Sequence, residues 1–557
     1  MNAPLRVTEP SAKYLVQAEP TLLRGFELLT TAPSGMAKLR ALIHSLAVRG
    51  LLVSHDPNDE PASVLIADIR AVKDRLIVEG KLRPDKLSER ASMVDEPFVV
   101  PASWVWVRFG SASINRDGER VPVSSEIRQQ RAKVFDYYGA SGVIDKIDGY
   151  LFDKTLLLIG EDGANLINRA TPIAFLASGK YWVNNHAHVI DATHPGLMEY
   201  LCLFINSISL EPYITGTAQP KMNQAKLNSI PVALPPLAEQ YRIVARVEEL
   251  MKLCDALEQS GRLADEQHAR LTSTLFDALA ASESAHALAK NWQRIAEHFD
   301  LLLDRPEAID ALEQAILQLG VRGLLVPQDV SNEPASGLVG ARGDEYTGDG
   351  SLSVPFGWET VGFLDICAVG GGSTPSKARA DFWVGQIPWV SPKDMKRDVI
   401  TDSIDHVSEL AMAQTSLSLV PTGSVLIVVR GMILAHSFPT AITATPVTIN
   451  QDMKALTPRV AELAPYLALV CRGFKREILS MVERSTHGTC KLESSKLFGW
   501  RFGLPPLAEQ DRIIARVEEL RRLCAQLRKC LTDACEIQAI LAEALVAQAT
   551  VACPHTH

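Results

Sequence analysis

The chain has 557 residues, 47% of them hydrophobic and 22% charged, with a formal net charge of −9. That length supports several domains with real cores, and the composition is that of an ordinary globular protein rather than a disordered or fibrous one. No apolar run approaches the ~18 residues of a membrane helix, and the acidic balance argues mildly against a nucleic-acid partner, since such proteins often carry a strong basic excess.

The first residues, MNAPLRVTEPSAKY, lack the apolar core of a signal peptide. The nine cysteines include no CxxC pair and no Cys/His ligand spacing, so neither a zinc site nor a disulfide framework is indicated, and a reducing cytoplasm is the expected location. Cys530 with Cys535, and the terminal Cys553-Pro554-His555-Thr556-His557, are the weak exceptions.

Residues 1–99 read as a helical region containing Val48-Arg49-Gly50-Leu51-Leu52-Val53 and Glu60-Pro61-Ala62-Ser63. Both strings recur 273 residues later, as Val321 to Val326 and Glu333 to Ser336. Residues 100–233 open on Val100, Pro101, Trp104 and Val107, a pattern repeated as Val354, Pro355, Trp358 and Val361 at the head of residues 354–503. Both segments read as mixed α/β: Thr155 to Ile159 and Val425 to Val429 are strand-like, Gly160-Glu161-Asp162-Gly163 is a turn, and Leu197–Ser207 and Ala461–Ser480 are helical. Their edges match; their interiors do not.

Residues 234–353 begin with Leu234-Pro235-Pro236-Leu237-Ala238-Glu239-Gln240, and residues 504–557 begin with the same seven, Leu504 to Gln510. The prolines end the preceding strand, and helices then start near Leu237 and Leu507 with Glu239 and Glu509 in the first turn. Ile243, Val247, Leu250, Cys254 and Leu257 follow at heptad spacing, as do Ile513, Val517, Leu520, Cys524 and Leu527. A core-facing amphipathic helix explains such a stripe; two matching stripes in one molecule favour the two helices pairing along these seams. Helices of 20 to 40 residues would separate their ends by roughly 30 to 60 Å, the scale on which major-groove faces recur, about 34 Å. The repeat is a tandem duplication with its boundary near Ser282 to Asn291, and a period this long is not that of a stacked array.

No catalytic motif survives inspection. Gly370-Gly371-Gly372-Ser373-Thr374-Pro375-Ser376-Lys377 lacks the phosphate-loop spacing and reads as a loop. Asn184-Asn185-His186-Ala187-His188 has no accompanying ligand pattern, so structural histidines are expected. There is no HExxH, no GxSxG and no dinucleotide fingerprint; the chain reads as a binder.

The two LPPLAEQ strings followed by Arg-Ile, the Leu39 to Ser63 block and its counterpart at 298–336 resemble the specificity subunits of Type I restriction-modification systems. Within the variable segments, Tyr137-Tyr138-Gly139-Ala140-Ser141-Gly142 with Glu161 to Asn165 is similar to one target-recognition type. Gly371 to Ser376 with Ile387-Pro388-Trp389-Val390-Ser391 is similar to another. The resemblance covers nearly the whole chain. It implies an α+β fold: a tandem pseudo-twofold repeat of two α/β target-recognition domains separated by a pair of long antiparallel coiled-coil helices. It implies a non-catalytic DNA-reading subunit for a split, asymmetric target, docking two adenine-methyltransferase subunits and, in the full complex, restriction subunits. S-adenosylmethionine, and ATP with Mg2+, would be used by those partners and not by this chain.

Contacts to DNA are expected from basic and amide side chains. In the first head the candidates are Arg116, Arg120, Arg128, Arg131 and Lys133, a cluster of basic residues, with Gln219, Lys221 and Asn223. In the second they are Lys377, Arg379, Lys393, Lys396, Arg430, Asn450, Gln451 and Lys491. A basic cluster is also how an ordinary solvated face looks, and a helical scaffold that assembles partner enzymes without touching DNA is the competing reading.

Overall fold

A computed structural model describes residues 21–82, 96–216, 219–339, 354–484 and 489–551. The first residues, MNAPLRVTEPSAKY, and the Cys553 to His557 tail lie outside them. Cys530 is an exposed thiol and Cys535 a half-buried one. The chain divides into two compact units. One takes the residues up to Leu263 and those from Cys535 onward, the other Ala264–Ala534.

In the first unit the helices Thr21–Thr31, Gly35–Val48 and Ala62–Val78 form a block that joins the recognition head in one core. The head is closed by an antiparallel ribbon, Val105–Arg108 against Pro231–Leu234, with Val105 opposite Leu234. Inside it are two four-stranded sheets. The strand Leu156–Gly160, buried at every position, lies between Ala187–Asp191 and Ala174–Ala177. An unbroken apolar run is what a strand covered on both faces needs. The second sheet runs Gly142–Ile147, Phe135–Gly139, Lys180–Val183, Phe152–Asp153, with Phe135–Gly139 and Lys180–Val183 parallel.

The second unit repeats the block with the helix Ala308–Val321 and the ribbon with Glu359–Val361 against Phe502–Leu504. Its head differs inside. A five-stranded sheet is centred on Val425–Val428, again fully buried, and a three-stranded sheet runs Asp405–Val407, Ile387–Val390, Thr448–Ile449. The helix expected over Ala461–Ser480 is broken at Phe474 into Ala464–Gly473 and Lys475–Ser480.

The two long helices begin at Leu237 and Leu507, where the Pro-Pro pairs end. They run to Ala280 and Val551, 44 and 45 residues. They exceed the expected 20 to 40 and reach about 66 Å at 1.5 Å per residue. Each unit holds the first part of one long helix and the last part of the other.

The seam needs correcting. Ile243, Val247 and Cys254 are buried in the first unit's core with Leu39, Ile43 and Ala47 of the block helix, and Leu250 packs against that cluster. Ile513, Val517 and Cys524 are buried likewise with Ile309, Leu312 and Ile316, with Leu520 and Leu527 alongside. Each stripe is thus covered within its own unit, and Leu257, 41% exposed, lies beyond that cover. A heptad stripe requires a helical partner but does not say which helix supplies it. Polar contacts fix the choice: Arg40 donates to Asp255 and Glu258 at 2.7 and 3.0 Å in one unit, and Arg521 donates to Glu313 at 2.7 Å in the other.

Candidate nucleic-acid interface

The repeated residues build the same joint twice. Trp104 stands edge-on to Tyr200 with ring centres 6.3 Å apart, and Trp358 to Tyr466 at 6.5 Å. The Tyr200 hydroxyl donates to the Ala233 carbonyl at 2.6 Å and that of Tyr466 to Gly503 at 3.0 Å. Gln240 and Gln510 each donate to the carbonyl of the proline five residues earlier, at 2.8 Å. Gly50 and Gly323 both have φ +72°, and a Cβ on either would lie 2.7 Å from Pro101 or Trp358. The LPPLAEQ string therefore locks each head's closing ribbon onto its helix, and its buried residues serve the joint.

The first head's candidate cations are engaged by its own carboxylates. Arg116 pairs with Asp191 at 2.7 Å, Arg131 with Asp148 at 2.5 Å, and Lys133 with Asp145 at 2.8 Å. Arg120, with its side chain 13% exposed, donates to Glu161 and to the Ala187 carbonyl at 2.8 and 2.7 Å. Arg128, 14% exposed, pairs with Asp145 at 2.9 Å and lies over the Tyr137 ring. Lys133 and Arg128 together hold the Asp145 carboxyl well below the usual carboxylate range. His188 is buried with Nδ1 2.6 Å from Asp117 and Nε2 2.8 Å from the Met222 carbonyl, so the ring is satisfied on both sides. Burial alone would raise the Asp117 carboxyl, but His188 and Arg120 outweigh it and lower the pKa. Asn223 caps the short helix Gln224–Ser229 by accepting from the Lys226 amide at 3.0 Å. Arg120, Arg128 and Asn223 thus each hold part of the head together. Gln219 is exposed, and Lys221 is half-exposed beside Glu161 at 3.2 Å.

The second head is arranged differently. The strands Ile387–Val390 and Thr448–Ile449 run parallel, and the turn after Gly371 meets their ends: Ser373 donates from its amide to Ile449, and Asn450 to Val390, both at 3.0 Å. A Cβ on Gly372 would lie 1.9 Å from the Asn450 carbonyl, so the glycine-rich run is a tightly seated loop. Asn450 is buried and accepts from the Asp452 amide at 3.0 Å, which makes it part of the framework. Gln451 is exposed and accepts from the Thr374 hydroxyl. Arg379 is held by Asp381 at 2.6 and 2.8 Å. Arg430 and Lys491 pair through an antiparallel backbone bridge, as Asp162 and Lys221 do in the first head, and the Arg430 side chain lies 4.0 Å from Asp452. Lys377, Lys393 and Lys396 are exposed and, among the described residues, have no ion-pair partner.

A family model described as "Type I restriction modification DNA specificity domain" matches residues 114–265 and 355–535, more than half of the chain and one copy in each half. The chain belongs to the Type I restriction-modification DNA specificity family. It is 29% identical to the EcoAI specificity subunit of Escherichia coli, over 92% of this chain and 93% of that one. It is 30% identical to the EcoEI specificity subunit of the same organism, with the same coverage. A crystal structure of the HsdS subunit from Thermoanaerobacter tengcongensis is 18% identical over 83% of this chain and all of that one, with a TM-score of 0.37.

As a specificity subunit the chain is the non-catalytic member of its system, and the two heads are its DNA specificity domains. Among the described residues no helix is long and apolar enough to cross a membrane. Sequence reasoning missed two groups in this subunit. The carboxylates that engage the first head's arginines, Asp145, Asp191 and Glu161, are distant in sequence from the cations they meet, so no local pattern marks them. Arg397 in the second head is exposed and, among the described residues, without an ion-pair partner. The alternation Lys393-Asp394-Met395-Lys396-Arg397-Asp398 was the available signal for it.

Proposed function

We infer that this specificity subunit reads a two-part, asymmetric DNA target, one half-site per head, and docks two adenine-methyltransferase subunits, with restriction subunits added in the full complex. The observation that carries the reading is the contrast between joint and head: Trp104/Tyr200/Gln240 recur as Trp358/Tyr466/Gln510 in nearly the same geometry, while the sheets they carry differ in strand number and order. Equal joints suit identical partners, and unequal heads suit unequal half-sites. The relatives named above serve Type I restriction enzymes, which supports the same reading.

The DNA-facing candidates are the exposed ones: Lys377, Arg379, Lys393, Lys396, Gln451, Arg430 and Lys491 in the second head, and Gln219, Lys221 and Lys133 in the first, with Arg116 and Arg131 half-buried beside them. This chain binds no cofactor of its own; S-adenosylmethionine, ATP and Mg2+ belong to the partner subunits. Methylome sequencing of cells with and without the chain tests the whole reading. Loss of one bipartite adenine-methylation motif on deletion is expected, and an unchanged methylome overturns it.

A further inference from the structure

In the segment Ser391 to Asp398 both acids are engaged by the fold, Asp394 half-buried and Asp398 at the surface, while the cations are exposed. Asp394 Oδ2 accepts from the Ser391 amide and hydroxyl at 2.8 and 2.9 Å, and Oδ1 accepts from the Ile404 amide at 2.9 Å. Asp398 closes the other end. Its carboxylate meets Arg521 at 2.9 Å and Arg472 at 3.2 Å, and its carbonyl accepts from the Ile442 amide at 3.0 Å. Met395, between them, is buried. Every carboxylate in the loop is therefore occupied by the fold, and Lys393, Lys396 and Arg397 are left exposed with no ion pair among the described residues.

The loop follows Val390 directly, at the strand ends where Ser373 donates to Ile449 and Asn450 to Val390. Lys377 and Gln451 lie on the two neighbouring segments. A pinned backbone spares these three cations the cost of ordering the loop on meeting an anion and leaves only their side-chain rotamers to be fixed, which favours a preorganised contact. In the first head the corresponding cations are already engaged: Arg116, Arg120, Arg128, Arg131 and Lys133 each face a carboxylate at 2.5 to 2.9 Å, Arg128 and Lys133 sharing Asp145.

We propose that the Lys393–Asp398 loop is a preformed phosphate clamp for duplex DNA, and that the second head supplies most of the subunit's electrostatic grip while the first contributes comparatively little. The proposal rests on the reading of the chain as a DNA-binding subunit and adds which head anchors it. Phosphate contact releases counterions, with a slope of about −0.9 in log K against log salt for each phosphate neutralised.

The test is the salt dependence of duplex binding by the full chain in complex with its methyltransferase subunits. Lys393→Ala/Lys396→Ala/Arg397→Ala, all at exposed side chains, should make the slope shallower by about two to three. Lys393→Arg/Lys396→Arg/Arg397→Lys should keep it. Asp394→Ala separates preorganisation from charge: it makes the loop more positive, so charge alone would tighten binding, whereas loss of the pinned shape should weaken it at least several-fold. If the wild-type complex binds its target with a steep slope and the triple alanine variant matches it, the clamp is refuted while the DNA reading stands. If the triple variant instead loses its methyltransferase subunits at an unchanged slope, the loop is a protein-docking element and the proposal is overturned. If the wild-type complex shows no salt-dependent binding, both fall.

Discussion

His55 holds its Nδ1 2.8 Å from the carboxylate of Glu239, a side chain only 1% exposed, inside the first joint. In the repeat, Gln328 stands where His55 does, and the matching Glu509 is buried as deeply. Stripping a buried carboxylate of its donor costs about 1–3 kcal/mol. His55→Ala should therefore destabilise the first unit by that order, with Gln328→Ala well below it. Chemical denaturation of the two variants in parallel checks the difference; equal effects would mean that the His55 contact contributes nothing.

Burial raises the Glu509 carboxyl above the ordinary carboxylate value, with Trp358 and Arg512 drawing it partly back. A raised folded-state pKa contributes stability that is full below the unfolded value, near 4.3, and is lost as pH rises through the folded value. Glu509→Gln removes this dependence. Relative to wild type, the variant should gain stability as pH rises above the unfolded value of about 4.3 and level off once pH has passed the folded one, read as the difference in melting temperature at each pH.

Asp117 carries the opposite sign. Burial works against its ionisation, but the His188 hydrogen bond and the charges of His188 and Arg120 prevail, so its pKa is lowered. The stability it contributes is present above an unfolded value of about 3.9 and is lost as pH falls through the folded one. Asp117→Asn should be less stable than wild type at neutral pH, with the gap narrowing below about pH 4. A gap that stays constant down the acid limb would count against the ionised Asp117.

Gly50 and Gly323 combine a left-handed backbone with a ring or proline in the way of any Cβ, whereas Gly80, φ +69°, faces open space. Gly80→Ala should cost only the backbone term, about 1–2 kcal/mol. Gly50→Ala and Gly323→Ala should each cost distinctly more, and both should loosen the head from its helix. Proteolysis of the three variants under native conditions would rank them.

Inserting four residues, about one helical turn, after both Leu263 and Asp533 should lengthen the preferred spacer of the DNA target by about two base pairs and leave both half-sites as they were. Methylation mapping reads the outcome directly. Altered half-site sequences would mean that the long helices do more than set a distance.

Much of the architecture was legible because it was written twice. The Pro-Pro stops fix Leu237 and Leu507 as helix starts, and the apolar runs at Leu156 and Val425 become the covered central strands of their sheets. The candidate interface was legible only in part. Lys377, Lys393 and Lys396 are exposed as expected, but Arg120 and Arg128 turn inward because Glu161 and Asp145 are there to receive them. A cation's sequence neighbours do not reveal its spatial ones.

By itself the sequence determined the duplication, the two unlike heads and the membership of the family, since these depend on local strings and their spacing. Only the tertiary structure decided what covers each heptad stripe and which cations remain free. Both are settled by contacts between residues far apart in the chain: Arg40 of the block helix with Asp255 and Glu258, Asp398 with Arg521. Burial and ion pairing depend on what is brought near, and long-range folding alone fixes that.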